Sequence, residues 1–238
     1  MSGLKLTIGS EKLERIGNDC NTKYYKFVGL HIDDTLSWEH HISHVHKKLS
    51  SANYIINSAK NILPKHIRLI VYNSLFKSHL QYGILAWGKV PTKNLQKIIS
   101  IQKKCIRNVA NKDFRSHTEP LFSQMKVMKF QDIIYYESLL YMHNYVYARL
   151  PNCLLNMFTP LKTNGRNGNY LLKKYKGIYL DRFPSSYLPK VWNNVSNEIK
   201  NTHKLSLAKS KIKKNIFSNY KDAHIKCDFT LCPDCYIK

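Results

Sequence analysis

Apolar residues recur at helical spacing through most of the chain between residues 41 and 149. In the first segment they occupy positions i, i+3 and i+4 from Ile42 to Ala59, which predicts an amphipathic helix. Pro64 ends that segment and opens the next, because proline is tolerated in the first turn of a helix and not in its interior. Two more helices are predicted at residues 93–109 and 130–149. A chain with this pattern has to bury several helices against one another.

Short strand patterns precede these helices, and a less regular region follows them. Residues 4–8 and 13–16 flank a Gly-Ser turn, and residues 24–33 form a second apolar run interrupted by Gly29. Beyond residue 151 we expect strand-like runs at 170–172 and 178–180 and helices at 188–199 and 206–220. The sequence therefore predicts a mainly α fold: a short N-terminal antiparallel β-ribbon (residues 1–35), a helical bundle (36–151) and a small C-terminal α+β module (152–238).

The charge of the chain is strongly basic. There are 38 Lys and Arg residues against 15 Asp and Glu, a formal net charge of +23. This excess favours a polyanionic partner, with nucleic acid the first candidate and an anionic membrane the second. A biased genome rich in Lys, Asn, Ile and Tyr codons is an alternative source of the lysines, but it does not explain the scarcity of acids. No apolar run is long enough to span a bilayer and no secretory signal is evident, so we expect no membrane partner and an intracellular location, in the nucleus or cytoplasm.

Basic residues interleaved with aromatic residues follow the predicted helices. Such stripes match contacts to phosphates, which bind nucleic acid without reading its sequence. The alternative for any single residue is a solvated outer face. The candidate nucleic-acid-binding residues on the helices are Lys47, Lys48, Lys60, Lys65, Arg68, Lys77, Lys103, Lys104 and Arg107.

Two acidic residues follow the second strand run and invite a catalytic interpretation. Asp33 and Asp34 are adjacent, so on a strand they would point to opposite faces and could not converge on one metal ion. Aspartate is a favoured turn residue. We interpret the pair as a turn and assign no catalytic residue in the chain.

Histidines near the start of the first helix have a spacing seen at metal sites. His40 and His44 are four residues apart on one predicted helical face. No Glu is placed beside either of them in a metalloprotease-like pattern, and the sequence places no third ligand. A polar face that contacts phosphate or solvent is therefore favoured over a metal site, and its charge would rise at acid pH.

The C-terminal tail contains a second candidate metal site. Cys227, Cys232 and Cys235 follow His224 with the spacing His-x2-Cys-x4-Cys-x2-Cys, which supplies four potential zinc ligands. This spacing departs from the usual paired CxxC form. The alternative is a frayed terminus with ordinary reduced thiols.

Several segments, taken in order, resemble the reverse transcriptases of non-LTR (LINE-like) retrotransposons. Residues 26–33 (KFVGLHID) and 36–42 (LSWEHHI) are similar to a signature that lies downstream of the catalytic motifs in that family. The remaining similar segments are 82–88 (YGILAWG), 95–107 (LQKIISIQKKCIR), 117–122 (HTEPLF) and 189–200 (PKVWNNVSNEIK). The resemblance extends over residues 24–220, with Val28 in place of the usual Leu and Ser196 in place of Pro.

This resemblance implies roles for the ribbon and the helices. The region of Lys26, Phe27 and Gly29 would correspond to the primer grip, and the following helices to a thumb that holds the template–primer backbone. The catalytic aspartate motifs are expected N-terminal to residue 1. The resemblance therefore implies a non-catalytic C-terminal piece of an RNA-directed DNA polymerase, whose partners are an RNA/DNA duplex and the rest of the polymerase. Such a piece requires no cofactor of its own beyond the candidate zinc, because Mg²⁺ would belong to a complete polymerase.

Three alternative interpretations stay open. The chain can be part of an active reverse transcriptase whose catalytic palm is missing from a truncated gene model. It can be a domesticated protein-interaction scaffold that uses the tyrosine-rich segment 130–149. It can also be a relic without function.

Overall fold

The structure, a computed structural model, describes residues 7–8, 11–12, 24–161, 168–172 and 182–226. The fold is mainly α-helical with short antiparallel strands at the N-terminus, which confirms the predicted fold class. In the described part of the chain, no helix has an apolar stretch long enough to cross a membrane.

The described strands form two antiparallel ribbons. Strand β1 (Thr7–Ile8) pairs with β2 (Glu11–Lys12). Strand β3 (Tyr25–Phe27) pairs with β4 (Leu30–Ile32) through a two-residue turn. Both turn residues, Val28 and Gly29, have positive φ angles, 45° and 78°, as two-residue hairpin turns of the primed type require.

The connection from β4 to the first long helix is organised by Asp33. Its Oδ1 atom accepts hydrogen bonds from the Ser37 N–H at 2.7 Å and the Thr35 hydroxyl at 2.8 Å, and its Oδ2 atom accepts one from the Trp38 N–H at 2.9 Å. Leu36 and Trp38 both have positive φ angles, which non-glycine residues adopt only when other contacts hold them there. The geometry bears out the interpretation of Asp33 as a turn residue.

Helix α1 (Glu39–Ser58) starts from this turn. The helix that follows it contains a π-helical segment, in which the pitch is wider than in an α-helix. Helix α2 (Lys65–Val71) continues through a π-helical segment (Tyr72–Lys77) into α3 (Ser78–Gln81). Its buried positions are spaced by four residues: Arg68, Tyr72, Phe76 and Leu80. In a pure α-helix such a stripe would rotate by about 40° at each step, and the wider π turn offsets that rotation. The buried stripe therefore stays on one face.

In the segment 82–88, a hydrogen bond joins the two aromatic residues, and the glycines occupy positions where a side chain would be strained or would clash. The Trp87 indole is buried, and its Nε1–H donates to the Tyr82 carbonyl at 2.9 Å. Gly83 has a φ of 59°, and it precedes the short helix α4 (Ile84–Trp87). A Cβ on Gly88 would lie 2.5 Å from the Ile84 carbonyl oxygen, so only glycine fits there.

Three helices complete the predicted bundle: α5 (Thr92–Ala110), α6 (Glu119–Met125) and α7 (Phe130–Val146). Helix α1 packs against α5 along its length, and α7 packs against α3, α4 and α5. The core between them contains Leu49, Ile98, Ile106 and Leu139, all fully buried.

The C-terminal part adds helices to the same core. It contains a 3-10 turn (Asn152–Leu154), an isolated bridge between Pro160 and Tyr170, and helices α8 (Pro184–Asn193), α9 (Asn197–Lys200) and α10 (Leu205–Lys226). Helix α8 packs on α7, and α10 packs on α6 and α7. The helix predicted over 188–199 is therefore two helices, α8 and α9. The strand predicted at 178–180 lies outside the described residues, and the boundary at 151–152 stays a prediction.

Candidate nucleic-acid interface

A groove of about 840 Å³ opens beside the packed pair α1 and α5. Helix α5 and the loop that follows it contribute most of its lining. Its walls include the five cations Lys97, Lys103, Lys104, Arg107 and Arg115, and none of the residues that line it is acidic. Such a surface attracts anions, because positive side chains are concentrated along it.

The amphipathic pattern of α5 places these cations at the groove. Leu95, Ile98 and Cys105 are buried against the core. Lys97 and Lys104, two turns apart, therefore fall on the opposite, exposed side of the helix. From α1, Ser43 and His46 line the other wall of the groove.

The loop after α5 is held in place by Arg107. Its Nε–H donates to the Ser116 carbonyl at 2.8 Å, and the Lys112 N–H donates to the Arg107 carbonyl at 3.0 Å. Asn111 ends the helix in a left-handed conformation with a φ of 50°. Partial burial lowers the pKa of Arg107, but an arginine stays protonated at neutral pH. The loop thereby carries Phe114 and Arg115 to the rim of the groove.

A second basic surface lies on the other flank of α1, beside the β3–β4 hairpin. The His31 and His44 rings are 4.5 Å apart between centroids, and Tyr24 stacks on His31 at 4.8 Å. Burial lowers the pKa of both histidines, and the nearby charge of Lys26 lowers them further. Lys48 adds to the shift of His44. At neutral pH the positive charge of this flank therefore comes from its lysines.

His41 lies beneath this flank and is buried. Its Nδ1 atom accepts the His31 N–H at 3.4 Å, while its Nε2 atom has no hydrogen-bond partner. The ring contacts Trp87 edge-on at 5.5 Å between centroids. Burial, followed by the charges of His31 and His44, lowers the pKa of His41 to about 4. His41 is therefore a neutral core residue at physiological pH.

The remaining residues of the hairpin are accessible. Lys26 and Phe27 are exposed on β3. Gly29 lies in the turn, where a Cβ would be 3.4 Å from the Tyr82 ring. On α1, Lys47 is exposed between the hairpin flank and the groove.

The Arg68 side chain is buried and forms hydrogen bonds within the fold. The side chain is 6% exposed. Its Nε–H donates to the Val109 carbonyl at 2.9 Å, and Nη1 donates to the carbonyls of Leu63, at 2.6 Å, and Lys60. These bonds join the α1–α2 connection to the end of α5. Because the guanidinium is used inside the fold, we leave Arg68 out of the candidate interface.

Two other candidates lie away from the groove. The Lys65 ammonium donates to Gln124 Oε1 at 3.3 Å. Burial lowers the pKa of Lys77, the charge of Lys213 lowers it further, and Glu137 opposes the shift. The twelve predicted residues are thus divided among several surfaces, and Lys103, Lys104 and Arg107 are the three that line the groove.

Eight lining residues fall outside the predicted set: Ser43, His46, Gln96, Lys97, Ser100, Ile101, Phe114 and Arg115. The sequence carried a signal for Lys97, which is seven residues before Lys104 and so on the same helical face. No periodicity predicts the path of the loop that carries Phe114 and Arg115.

The described residues contain no group of three or more His, Cys, Asp or Glu side chains placed to hold a metal ion. Cys227, Cys232 and Cys235 lie outside the described residues, and so does the side chain of His224. The zinc site in the tail therefore stays a prediction.

Two tyrosines, at the C-terminal end of α7 and directly after it, hold the C-terminal part of the chain. Tyr145 is buried, and its hydroxyl donates to the Leu155 carbonyl at 2.6 Å. The Tyr147 hydroxyl donates to the Lys200 carbonyl at 2.7 Å. These contacts give the tyrosines a structural role, so the scaffold interpretation gains no support from them.

Comparison with known proteins identifies relatives for part of the chain. It is 25% identical over 112 residues to the RNA-directed DNA polymerase from mobile element jockey of Drosophila melanogaster, a match that covers 45% of this chain and 12% of the relative. The corresponding protein of Drosophila funebris is 25% identical over 118 residues, which are 48% of this chain and 13% of the relative. The chain thus matches only about an eighth of the length of these relatives. No protein-family model and no solved structure matches it. Over nearly half of its length, the chain is therefore related in sequence to a LINE-like retrotransposon RNA-directed DNA polymerase.

Proposed function

We propose that this chain binds nucleic acid through the phosphate backbone, with the α1–α5 groove as its main contact surface. The observation that carries the proposal is the set of five Lys and Arg side chains along the groove, with no acidic residue among those that line it. Each cation that neutralises a phosphate releases a condensed counterion, which provides affinity without base recognition.

The spacing of the cations suits a nucleic-acid strand. Lys97 and Lys104 are separated by about 10 Å along the helix axis. One strand of a duplex rises about 3.4 Å per nucleotide. The two lysines are therefore far enough apart to contact different phosphates of one strand.

The hairpin flank of α1 extends this surface. Lys26, Phe27 and Gly29, with Lys47 and Lys48, are the proposed contacts there. Lys60, Lys65 and Lys77 do not line the groove, and only their charge supports backbone binding by them.

The experiment measures affinity for an RNA/DNA duplex as a function of salt concentration. For the wild-type chain we expect log K to fall steeply with log[salt]. Replacement of Lys97, Lys104 and Arg115 by alanine should make the slope shallower by about 2–3 units, because each phosphate contact contributes about 0.9 to the slope.

A matched control removes the same charge from another surface. Lys204, Lys209 and Lys214 are exposed at or near helix α10, and their replacement by alanine should leave the slope much closer to that of the wild type. If both triple variants lose binding equally, the groove is not the contact surface. If the wild-type chain does not bind at low salt, the proposed function is wrong.

We also propose that the chain acts as a non-catalytic segment of an RNA-directed DNA polymerase. The relation to the jockey polymerases supports this proposal, and the resemblance implies that the catalytic aspartates belong to a preceding segment. Primer extension with the purified chain, an RNA template and Mg²⁺ should give no product. Nucleotide incorporation by this chain alone would contradict the proposal.

A further inference from the structure

Phe114 presents an apolar ring to water at the rim of the basic groove. The residue is 77% exposed and lies among the groove-lining residues next to Arg115. An isolated exposed apolar side chain needs no explanation on its own. This ring, however, lies within a surface that carries five cations. Such a surface is suited to a ligand that has both anionic and aromatic parts.

The ring is held on an ordered turn. The Ser116 N–H donates to the Asp113 carbonyl at 3.0 Å, and the Arg107 Nε–H donates to the Ser116 carbonyl at 2.8 Å. These bonds close the loop on both sides of Phe114. The backbone that carries the ring is therefore already ordered, so a ligand that stacks on Phe114 does not have to order the loop.

The charge of Arg107 is close to the same ring. Its guanidinium carbon lies 5.9 Å from the Phe114 ring centroid, within the range of a cation–π contact. An aromatic face beside an arginine, above a row of lysines, is the combination by which proteins hold single strands: bases stack on the ring while the cations follow the backbone.

We propose that the groove takes a single-stranded segment of nucleic acid, with an unpaired base stacked on Phe114 and the flanking phosphates on Lys97, Lys104 and Arg115. The internal bases of a duplex are stacked on neighbours on both faces, so they cannot offer a free face to this ring. The inference rests on the proposed function and narrows it to a ligand class.

The test compares a 20-nucleotide single strand with a 20-base-pair duplex of the same sequence. Stacking of one base on an aromatic side chain contributes about 1–3 kcal/mol, so Phe114→Ala should weaken single-strand binding about 5- to 150-fold. Its effect on the duplex should be several-fold smaller. Phe114→Tyr keeps the ring and should bind the single strand nearly as tightly as the wild type, whereas Phe114→Leu keeps apolar surface but not the stacking face and should resemble Phe114→Ala.

Two further measurements report stacking directly. The first uses a single strand that contains the fluorescent base 2-aminopurine. Its fluorescence should be quenched by the wild-type chain and by Phe114→Tyr but not by Phe114→Ala. An abasic strand of the same length keeps its phosphates and loses its bases, so the wild-type chain should bind it about as weakly as Phe114→Ala binds the intact strand.

The outcomes separate this inference from the proposed function. If the Lys97, Lys104 and Arg115 variant loses binding while Phe114→Ala does not, the chain binds nucleic acid through the groove and the stacking inference is wrong. An equal loss of single-strand and duplex binding in Phe114→Ala would also overturn it. Absence of binding by the wild-type chain at low salt overturns both.

Discussion

The hydroxyl of Tyr82 donates a hydrogen bond to the main-chain carbonyl of Val28, 54 residues earlier in the chain. The contact joins the tip of the β3–β4 hairpin to the link between α3 and α4. Gly83 completes it, because a Cβ there would lie 2.8 Å from the Leu30 side chain. The two segments that carry the first part of the family resemblance, 26–33 and 82–88, thus meet in space.

Tyr82→Phe should loosen the hairpin without unfolding the helices. Removal of the hydroxyl leaves the Val28 carbonyl to water, so the free energy of unfolding should fall by about 0.5–1.5 kcal/mol, towards the lower end because the bond is exposed. Urea denaturation measures this change. The control is Tyr54→Phe, a tyrosine that is 71% exposed on α1 and whose hydroxyl should contribute little. Equal losses in the two variants would contradict a specific role for Tyr82.

The helices could be predicted from the sequence because a helix that packs against a core has apolar residues at regular spacing. The buried residues of α1, such as Ile42, Val45 and Leu49, are the residues that the i, i+3, i+4 pattern selects. The π turn at Tyr72–Lys77 could not be predicted in this way. Residues in this turn contact distant elements, as Tyr72 does through the Gln102 amide, which donates to its hydroxyl at 3.1 Å, and local periodicity does not report such contacts.

The candidate site was less accessible to sequence reasoning than the helices. In a sequence, a basic residue that faces solvent cannot be distinguished from one that bonds to a buried carbonyl, because both contribute the same charge to the pattern. Arg68 and Arg107 were predicted together, and the structure separates them through contacts that connect distant parts of the chain. Side-chain burial of that kind depends on tertiary packing, which single-sequence periodicity does not encode.

Asp33→Asn should destabilise the entry to α1. The carboxylate accepts four hydrogen bonds, two of them from Ser37, whose N–H and hydroxyl lie 2.7 and 3.1 Å away. An amide has one acceptor oxygen, so donors are left unpaired and the free energy of unfolding should fall by about 1–3 kcal/mol. Asp34→Asn is the matched control, since Asp34 is the exposed neighbour and its replacement should change stability by less than about 0.5 kcal/mol.

The effect of Asp33→Asn should also depend on pH. Burial alone would raise the pKa of Asp33, but hydrogen bonds from Ser37, Thr35 and Trp38 outweigh it and hold the pKa below its usual value. The stabilisation is therefore present above the unfolded pKa of about 3.9 and is lost as the pH falls through the folded pKa. Denaturation at pH 7 and at acid pH should show the difference between wild type and variant shrinking. A constant difference would contradict the role of the charge.

The stability of the hairpin side of the core should fall between pH 6.5 and pH 4. His41 is buried and neutral, with a pKa lowered to about 4, whereas in the unfolded chain it is protonated below about 6.5. The unfolded state binds the extra proton in this window, so stability decreases as the pH falls, by about 1–3 kcal/mol for this residue. His41→Gln should flatten that part of the pH profile. The control is His46→Gln, a histidine at the wall of the groove, which should leave the slope unchanged.

A substitution at Arg68 should change the stability of the fold without changing nucleic-acid binding. Arg68→Met removes the charge together with the bonds to the carbonyls of Val109, Leu63 and Lys60. Buried carbonyls lose their donors, and the free energy of unfolding should fall by about 2–4 kcal/mol. The salt slope of nucleic-acid binding, measured at a temperature where the variant is folded, should stay that of the wild type. Lys104→Ala should show the reverse, with unchanged stability and a slope shallower by about 0.9, because its side chain is exposed in the groove. A shallower slope for Arg68→Met would assign Arg68 to the interface and contradict its assignment to the core.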